Sequence, residues 1–240
     1  MKRYLIGGLV ADIDVNCKKL DELGRSYETD TNKKADITVT LSDKRIHGIV
    51  NRHPELSFED AAYLASGTVF FQKAVNYNAL LLHSSCICVN KKAYAFTASS
   101  KIGKSTHTAL WKKLFKDSVT YINDDKPLIR EINGKFYACG TPWCGNTTIN
   151  NNISVPLSAI VIISRAKENK MTLSNPNLDP TVAVKIIEQT CRITDNVTAP
   201  KLLETVDRLL KKTPVYYLNC NMSDEAAILS YNTITGNSAE

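Results

Sequence analysis

The residues with the most chemistry to offer stand in one short run, Ala98-Ser-Ser-Lys-Ile-Gly103-Lys104-Ser105-Thr106. The run has the form G-x-x-x-x-G-K-[ST] of a phosphate-binding loop, with Ala98 in place of the first glycine. In such a loop successive backbone N–H groups converge on phosphate oxygens at the N-terminus of a helix. Here those would come from Ser99, Ser100, Lys101, Ile102, Gly103, Lys104, Ser105 and Thr106. Lys104 adds a point charge at the β- and γ-phosphates, and the Ser105 hydroxyl can ligate Mg²⁺. Gly103 lets the backbone approach where a side chain would collide. Alanine at position 98 requires φ below zero there.

Further along, Tyr121-Ile-Asn-Asp124-Asp125-Lys126-Pro127 ends a hydrophobic run on two carboxylates. Carboxylates beside a phosphate loop can hold Mg²⁺ or accept a proton from an attacking hydroxyl. Like charges this close also push one carboxyl pKa upward, which suits a base. Alone, the pair reads as a polar turn before proline. His83, in Leu80-Leu-Leu-His-Ser-Ser, is a third candidate, although a single histidine on an apolar strand is more often a satisfied core residue. Arg165 and Arg192 could stabilise charge on a transferring phosphoryl group, with surface solvation as the plainer role for each. Trp143 reads equally as a pocket wall and as core.

The loop needs a strand before it and a helix after it. Leu80–Val89 and Ala93–Ala98 read as two strands joined by the polar turn Asn90-Lys-Lys92. Ser105–Phe115 reads as a helix, with Leu110/Leu114 and Trp111/Phe115 at i,i+4 and Lys112, Lys113 and Lys116 facing water. Val119–Ile122 is then the strand that delivers the aspartates, and Leu128–Ile132 and Lys135–Cys139 flank the type I′ turn signal Asn133-Gly134. Upstream, Leu5–Val15 and Ala35–Leu41 read as strands, and Ser57-Phe-Glu-Asp60 opens a helix that reaches Val75. Downstream come a buried strand over Ala159–Ser164, helices over Val182–Arg192 and Lys201–Lys211, strand Val215–Cys220 and helix Asp224–Thr233. The set predicts an α/β or mixed α+β fold, with a small N-terminal α+β subdomain over 1–79 and a phosphate-loop domain over 80–240.

Composition bounds what such a chain can be. With 43% hydrophobic and 22% charged residues, the 240-residue chain is neither disordered nor fibrous in character. Thirty lysines and arginines against 24 acids leave +6, which suits anionic ligands and is too diffuse to imply a nucleic-acid partner. No apolar run approaches the roughly 20 residues that span a bilayer, so no membrane partner is expected. The stretch Met1–Ala11 reads as a strand in preference to a signal peptide. Seven cysteines show no repeating spacing, and Cys86-x-Cys88 has no second pair to complete a zinc site. Free thiols of this kind imply a reducing, cytoplasmic setting.

From Leu82 to Trp143 the chain resembles the catalytic domain of HPr kinase/phosphorylase and the wider phosphoenolpyruvate-carboxykinase-type P-loop fold. The matching residues are His83 before the loop, Ser100-x-x-Gly-Lys-Ser105 within it, and the Asp124-Asp125 strand end. Gly140-Thr-Pro-Trp-Cys-Gly145, Val155–Val161 and Pro214–Tyr231 look like HPr-kinase-related proteins found beside peptide-modifying enzymes, extending the resemblance over roughly 80–235. It implies two packed sheets flanked by helices, ATP and Mg²⁺ as cofactors, phosphorylation of a serine hydroxyl, and a possible homo-oligomer. On the matched positions Lys104 would hold phosphates and Ser105 the metal. Asp124 would be the base, tuned by His83, with Asp125 near the metal; the order of the two aspartates stays open. The Glu-x-Arg-Gly signature of the true HPr kinases is missing after the aspartates, and residues 1–80 are unlike their N-terminal domain. Both departures favour an acceptor other than HPr, such as a serine in a precursor peptide, another protein or a small molecule, and speak against reverse phosphorolysis. The rival readings are a carboxykinase-like enzyme and a nucleotide- or peptide-binding module without turnover.

Overall fold

Glycine and asparagine corners cut the chain into short strands. Gly7 and Gly8 take φ of 56° and 79°, the left-handed pair of a type I′ turn. The strand expected over Leu5–Val15 is therefore a hairpin of β1 (Lys2–Ile6) and β2 (Leu9–Asp14). The computed structural model describes residues 1–175, 179–193 and 195–236. After α1 (Lys18–Gly24), β3 (Ile37–Thr40) joins β2 in parallel and closes a three-stranded sheet. Helices α2 (Asp43–Arg52) and α3 (Phe58–Ala74) follow, each opened by a serine whose hydroxyl accepts from an N–H of the first turn, Ser42 from Arg45 and Ser57 from Asp60.

The remaining strands form a nine-stranded system. In chain order these strands and the helices between and after them are β4 (Ala79–Leu81), β5 (Ser84–Val89), β6 (Lys92–Thr97), α4 (Lys104–Phe115), β7 (Val119–Asn123), β8 (Leu128–Ile132), β9 (Lys135–Cys139), β10 (Ser154–Arg165), β11 (Lys170–Leu173), α5 (Thr181–Glu188), α6 (Thr198–Lys212), β12 (Val215–Cys220) and α7 (Asp224–Thr235). Strand β10 serves two sheets. Its first residues, Ser154–Pro156, pair antiparallel with β9, and the rest pairs in parallel with β6 and β12. This gives one sheet of β4, β8 and β9 and another built on β7, β5, β6 and β12, with β10 common to both.

The single strand expected over Leu80–Val89 does not exist as such. β4 pairs with β8 in one sheet, β5 pairs with β6 and β7 in the other, and the chain crosses between them at Leu82-His83. His83 is thus at a crossover and off any strand. Between the sheets, Leu80, Ile129 and Ala138 meet Cys86, Ala95 and Ile160, and α5 and α6 add Val182, Ile186, Leu202 and Val206. Phe96, Trp111, Leu218 and Ala226 bury α4 and α7 on the far face of the second sheet. The N-terminal sheet and α3 pack with Leu128 and Cys139 of the first and with Trp143 of the loop that follows β9. Each large apolar side chain so buried contributes roughly 1.5–3 kcal/mol. Helix α5 stops at Glu188, short of the expected Arg192, and α1, α2 and β11 lie where no element was expected. Among the described residues no helix is long and apolar enough to cross a membrane.

Candidate active site

The loop begins where β6 ends. Ala98 avoids positive φ, as an alanine there must, while Lys101 and Gly103 take φ of 64° and 127° and bend the chain into α4. No side chain caps α4, and its first-turn N–H groups, which have no intrahelical partner, are an arrangement suited to an anion. The Ile102 N–H is turned inward onto the Ser99 carbonyl at 3.4 Å. Arg165 is exposed, as expected of a solvated side chain, and it also holds the backbone of the loop. Its Nη2 and Nε donate to the carbonyls of Lys101 and Ile102 at 2.7 and 3.1 Å. A planar peptide whose carbonyl is held on one side presents its N–H to the other, so this grip turns the Gly103 amide away from Arg165. Arg192 is exposed and plays no comparable part.

Lys104 is buried, and its Nζ donates to the Ala98 carbonyl at 3.2 Å. Burial pushes its ammonium pKa down, against the pull of Asp125 and Asp124. Ser105 and Thr106 are exposed beside it. Across the gap, β7 ends on Asn123, which the sequence reading passed over. Its Oδ1 accepts from the N–H groups of Asp125 and Lys126 at 2.9 and 2.6 Å, and its Nδ2 donates to the carbonyls of Thr141 and Trp143 at 2.9 and 3.1 Å. An asparagine opening a polar corner is a recognised turn signal and could have been read as one.

The two aspartates have different neighbours. The buried Asp124 carboxylate accepts from Ser85 Oγ, which also bonds Thr108 Oγ1 on α4 at 2.7 Å. Asp125 Oδ1 lies 2.9 Å from His83 Nε2, and its Oδ2 pairs with Lys126. The histidine therefore meets Asp125, and the implied contact with Asp124 is corrected. Burial would raise the Asp125 carboxyl, but the hydrogen bond from His83 and the Lys126 ammonium outweigh it and hold the pKa at about 2. Gly145, at φ 67°, packs so closely that an added Cβ would lie 3.0 Å from the Asp125 carboxyl carbon.

The loop, His83, Asp124 and Asp125 line one cleft of about 330 Å³, with Arg165 and Met222 on its rim. Asn123 and Lys126 complete the arrangement through local contacts, and Ser85 through one across 39 positions that no local motif signals. Trp143 resolves as core: it stacks on Phe70 at a centroid distance of 4.9 Å and donates from Nε1 to Ser66 Oγ. The oxygen donors of Ser105, Asp124 and Asp125 are the hard set that Mg²⁺ takes. The cradle is also tight, since a Cβ on residue 103 would lie 2.4 Å from Met222 Cε. These residues fit a magnesium-bound polyphosphate.

No protein-family model matches the chain, and no curated protein matches it in sequence. Among solved structures, the Hpr(Ser) kinase/phosphatase from Coxiella burnetii is similar at a TM-score of 0.36 and 9% identity, over 65% of this chain and 94% of that one. At that distance the likeness carries no argument, and the function is read from the residues of the cleft.

Proposed function

We propose that the chain is a Mg²⁺-dependent kinase that transfers the γ-phosphoryl group of ATP to a serine-type hydroxyl on a peptide, a protein or a small molecule. One observation carries the reading: Lys104 and Ser105 share a cleft with a carboxylate, Asp125, that His83 and Lys126 keep ionised. A module that only binds nucleotide needs the loop but not that carboxylate.

The loop amides and Lys104 bind and orient the phosphates, leaving the terminal phosphorus open to attack from the carboxylate side. Mg²⁺ at Ser105 and Asp124 would neutralise phosphate charge. Asp124 suits that place because Ser85 and Thr108 tie it to the helix that carries Ser105. Asp125 orients the acceptor hydroxyl and takes its proton as the new O–P bond forms and the bond to the β–γ bridging oxygen breaks, releasing ADP. A carboxylate of low pKa suffices, because in a loose transition state the hydroxyl proton leaves late.

The test is transfer of label from γ-labelled ATP to serine peptides and small hydroxyl compounds, alongside calorimetry of MgATP binding. Lys104→Ala should weaken MgATP binding about a hundredfold, equivalent to ~3 kcal/mol. Asp125→Asn should lower transfer about 10²- to 10⁴-fold with little change in MgATP affinity. Failure of the wild-type chain to bind MgATP would sink the proposal, and binding without transfer to any acceptor would favour the module.

A further inference from the structure

Three neighbours close in on the Asp125 carboxylate. His83 Nε2 lies 2.9 Å from Oδ1, and Lys126 Nζ pairs with Oδ2. Gly145 covers another side, where an added methyl would stand 3.0 Å from Oδ2. An acceptor hydroxyl that gives its proton to Asp125 has to come within about 2.7 Å of one of these oxygens. The side it can open is that of the neighbour most able to move. Gly145 is main chain packed against the carboxylate. His83 is fastened on both sides of its Cα: Thr97 Oγ1 donates to its carbonyl at 2.9 Å, and its N–H donates to the Gln189 carbonyl at 2.7 Å. The imidazole is joined to that anchor by a single methylene. Lys126 is fastened at the backbone too, its N–H donating to Asn123 Oδ1 at 2.6 Å and its carbonyl accepting from Thr141 Oγ1 at 2.7 Å. Its ammonium, by contrast, rides on a flexible four-carbon stem that is 25% exposed. Lys126 is the partner that can leave.

Phosphoryl transfer supplies the destination. Attack on the γ-phosphorus sets the acceptor oxygen beside Asp125 and about 3–3.5 Å from phosphorus. An ammonium that starts on Asp125 Oδ2 therefore has the γ-phosphoryl oxygens within the swing of its stem. Charge moves the same way. Once Asp125 takes the proton it is no longer an anion, and the negative charge lies on the phosphoryl group and the leaving oxygen. A partly buried ammonium left without a partner is costly, so it follows that charge. The neighbouring cations have other duties: Lys104 Nζ donates to the Ala98 carbonyl at 3.2 Å, and Arg165 gives Nε and Nη2 to the loop carbonyls. Burial is the main cause of the lowered Lys104 pKa, and the Lys126 ammonium adds to it, so the two cations share one field.

We propose that Lys126 is a catalytic residue, which leaves Asp125 Oδ2 as the acceptor hydroxyl arrives and pairs with the γ-phosphoryl oxygens during transfer. The inference rests on the phosphoryl-transfer reading above and adds the step that opens its base to the acceptor. No bond forms to nitrogen and the ammonium keeps its three protons; the proton that moves is the acceptor's.

The experiment combines transfer rates with calorimetry of MgATP and MgADP. Lys126→Met should lower kcat about 10²-fold, the scale of losing one group that meets developing charge, and Lys126→Arg should recover most of it. Asp125→Asn separates this role from that of merely holding Asp125. In that background, adding Lys126→Met should weaken MgATP binding about tenfold, the scale of a charge-assisted contact to the γ-phosphate. MgADP binding should stay as it was, which also shows that the variant is folded. Unchanged kcat in Lys126→Met, MgATP affinity unaltered by Lys126→Met in the Asp125→Asn chain, or equal weakening of MgATP and MgADP would overturn the proposal while the phosphoryl-transfer reading stands. A wild-type chain that binds no MgATP, or binds it without transfer to any acceptor, brings down that reading first and this inference with it.

Discussion

His83 Nε2 and Asp125 Oδ1 stand 2.9 Å apart, joining a residue at the crossover between two sheets to one at the end of β7. The bond spans the seam where the sheets diverge, so the site depends on both.

This pairing makes a statement about stability. Asp125 titrates at about 2 in the fold, against about 3.9 when unfolded. Its ionised form therefore favours folding above about pH 4, and the contribution disappears as pH falls towards 2. In urea unfolding, the gap between the wild type and Asp125→Asn should narrow by about 2 kcal/mol between pH 6 and pH 2. A gap that stays constant over that interval would contradict the pairing.

His107 gives the chain a separate acid sensitivity. It is buried on α4, its Nε2 lies 2.9 Å from Ser230 Oγ of α7, and burial pushes its pKa down to about 4. The unfolded imidazole takes a proton near pH 6.5. Between about pH 6.5 and pH 4 the unfolded chain binds that proton and the fold does not, so stability falls by roughly 3 kcal/mol across the window. His107→Gln should remove that slope, which unfolding midpoints at pH 7, 5.5 and 4 would reveal.

At the loop, Gly103→Ala meets two obstacles. The new methyl would lie 2.4 Å from Met222 Cε, and φ of 127° is hostile to any side chain. Calorimetry should show MgATP affinity at least about tenfold weaker. Met222→Ala in the same chain should relieve the contact and leave most of the loss, because the backbone strain remains. Full rescue by Met222→Ala would show that the contact alone matters.

Asn123→Ala removes the acceptor for two backbone N–H groups and the donor to two carbonyls at a fully buried position. A loss of about 2–4 kcal/mol in stability is expected, by thermal or urea unfolding. In the surviving folded fraction kcat should fall more than MgATP affinity, because the displaced corner carries Asp125 and not the loop. Unaltered kcat would mean that Asn123 serves the fold only.

Local chemistry could be read from the chain without coordinates. Gly103, Lys104 and Ser105 lie on one turn of backbone, and the strand before them and the helix after them follow from side-chain periodicity. Asn133 and Gly134, at φ of 49° and 77°, form their turn wherever the hairpin packs. Other features were settled only by packing between distant segments. Ser85 reaches Asp124 across 39 positions, and Arg165 reaches the loop across 63 and 64. The break at His83, the double use of β10 and the burial of Trp143 belong to the same group. A periodic pattern records which face of an element avoids water. It does not record which edge that element pairs with, and the second sheet, the partners of the aspartates and the cavity beside them all follow from edges.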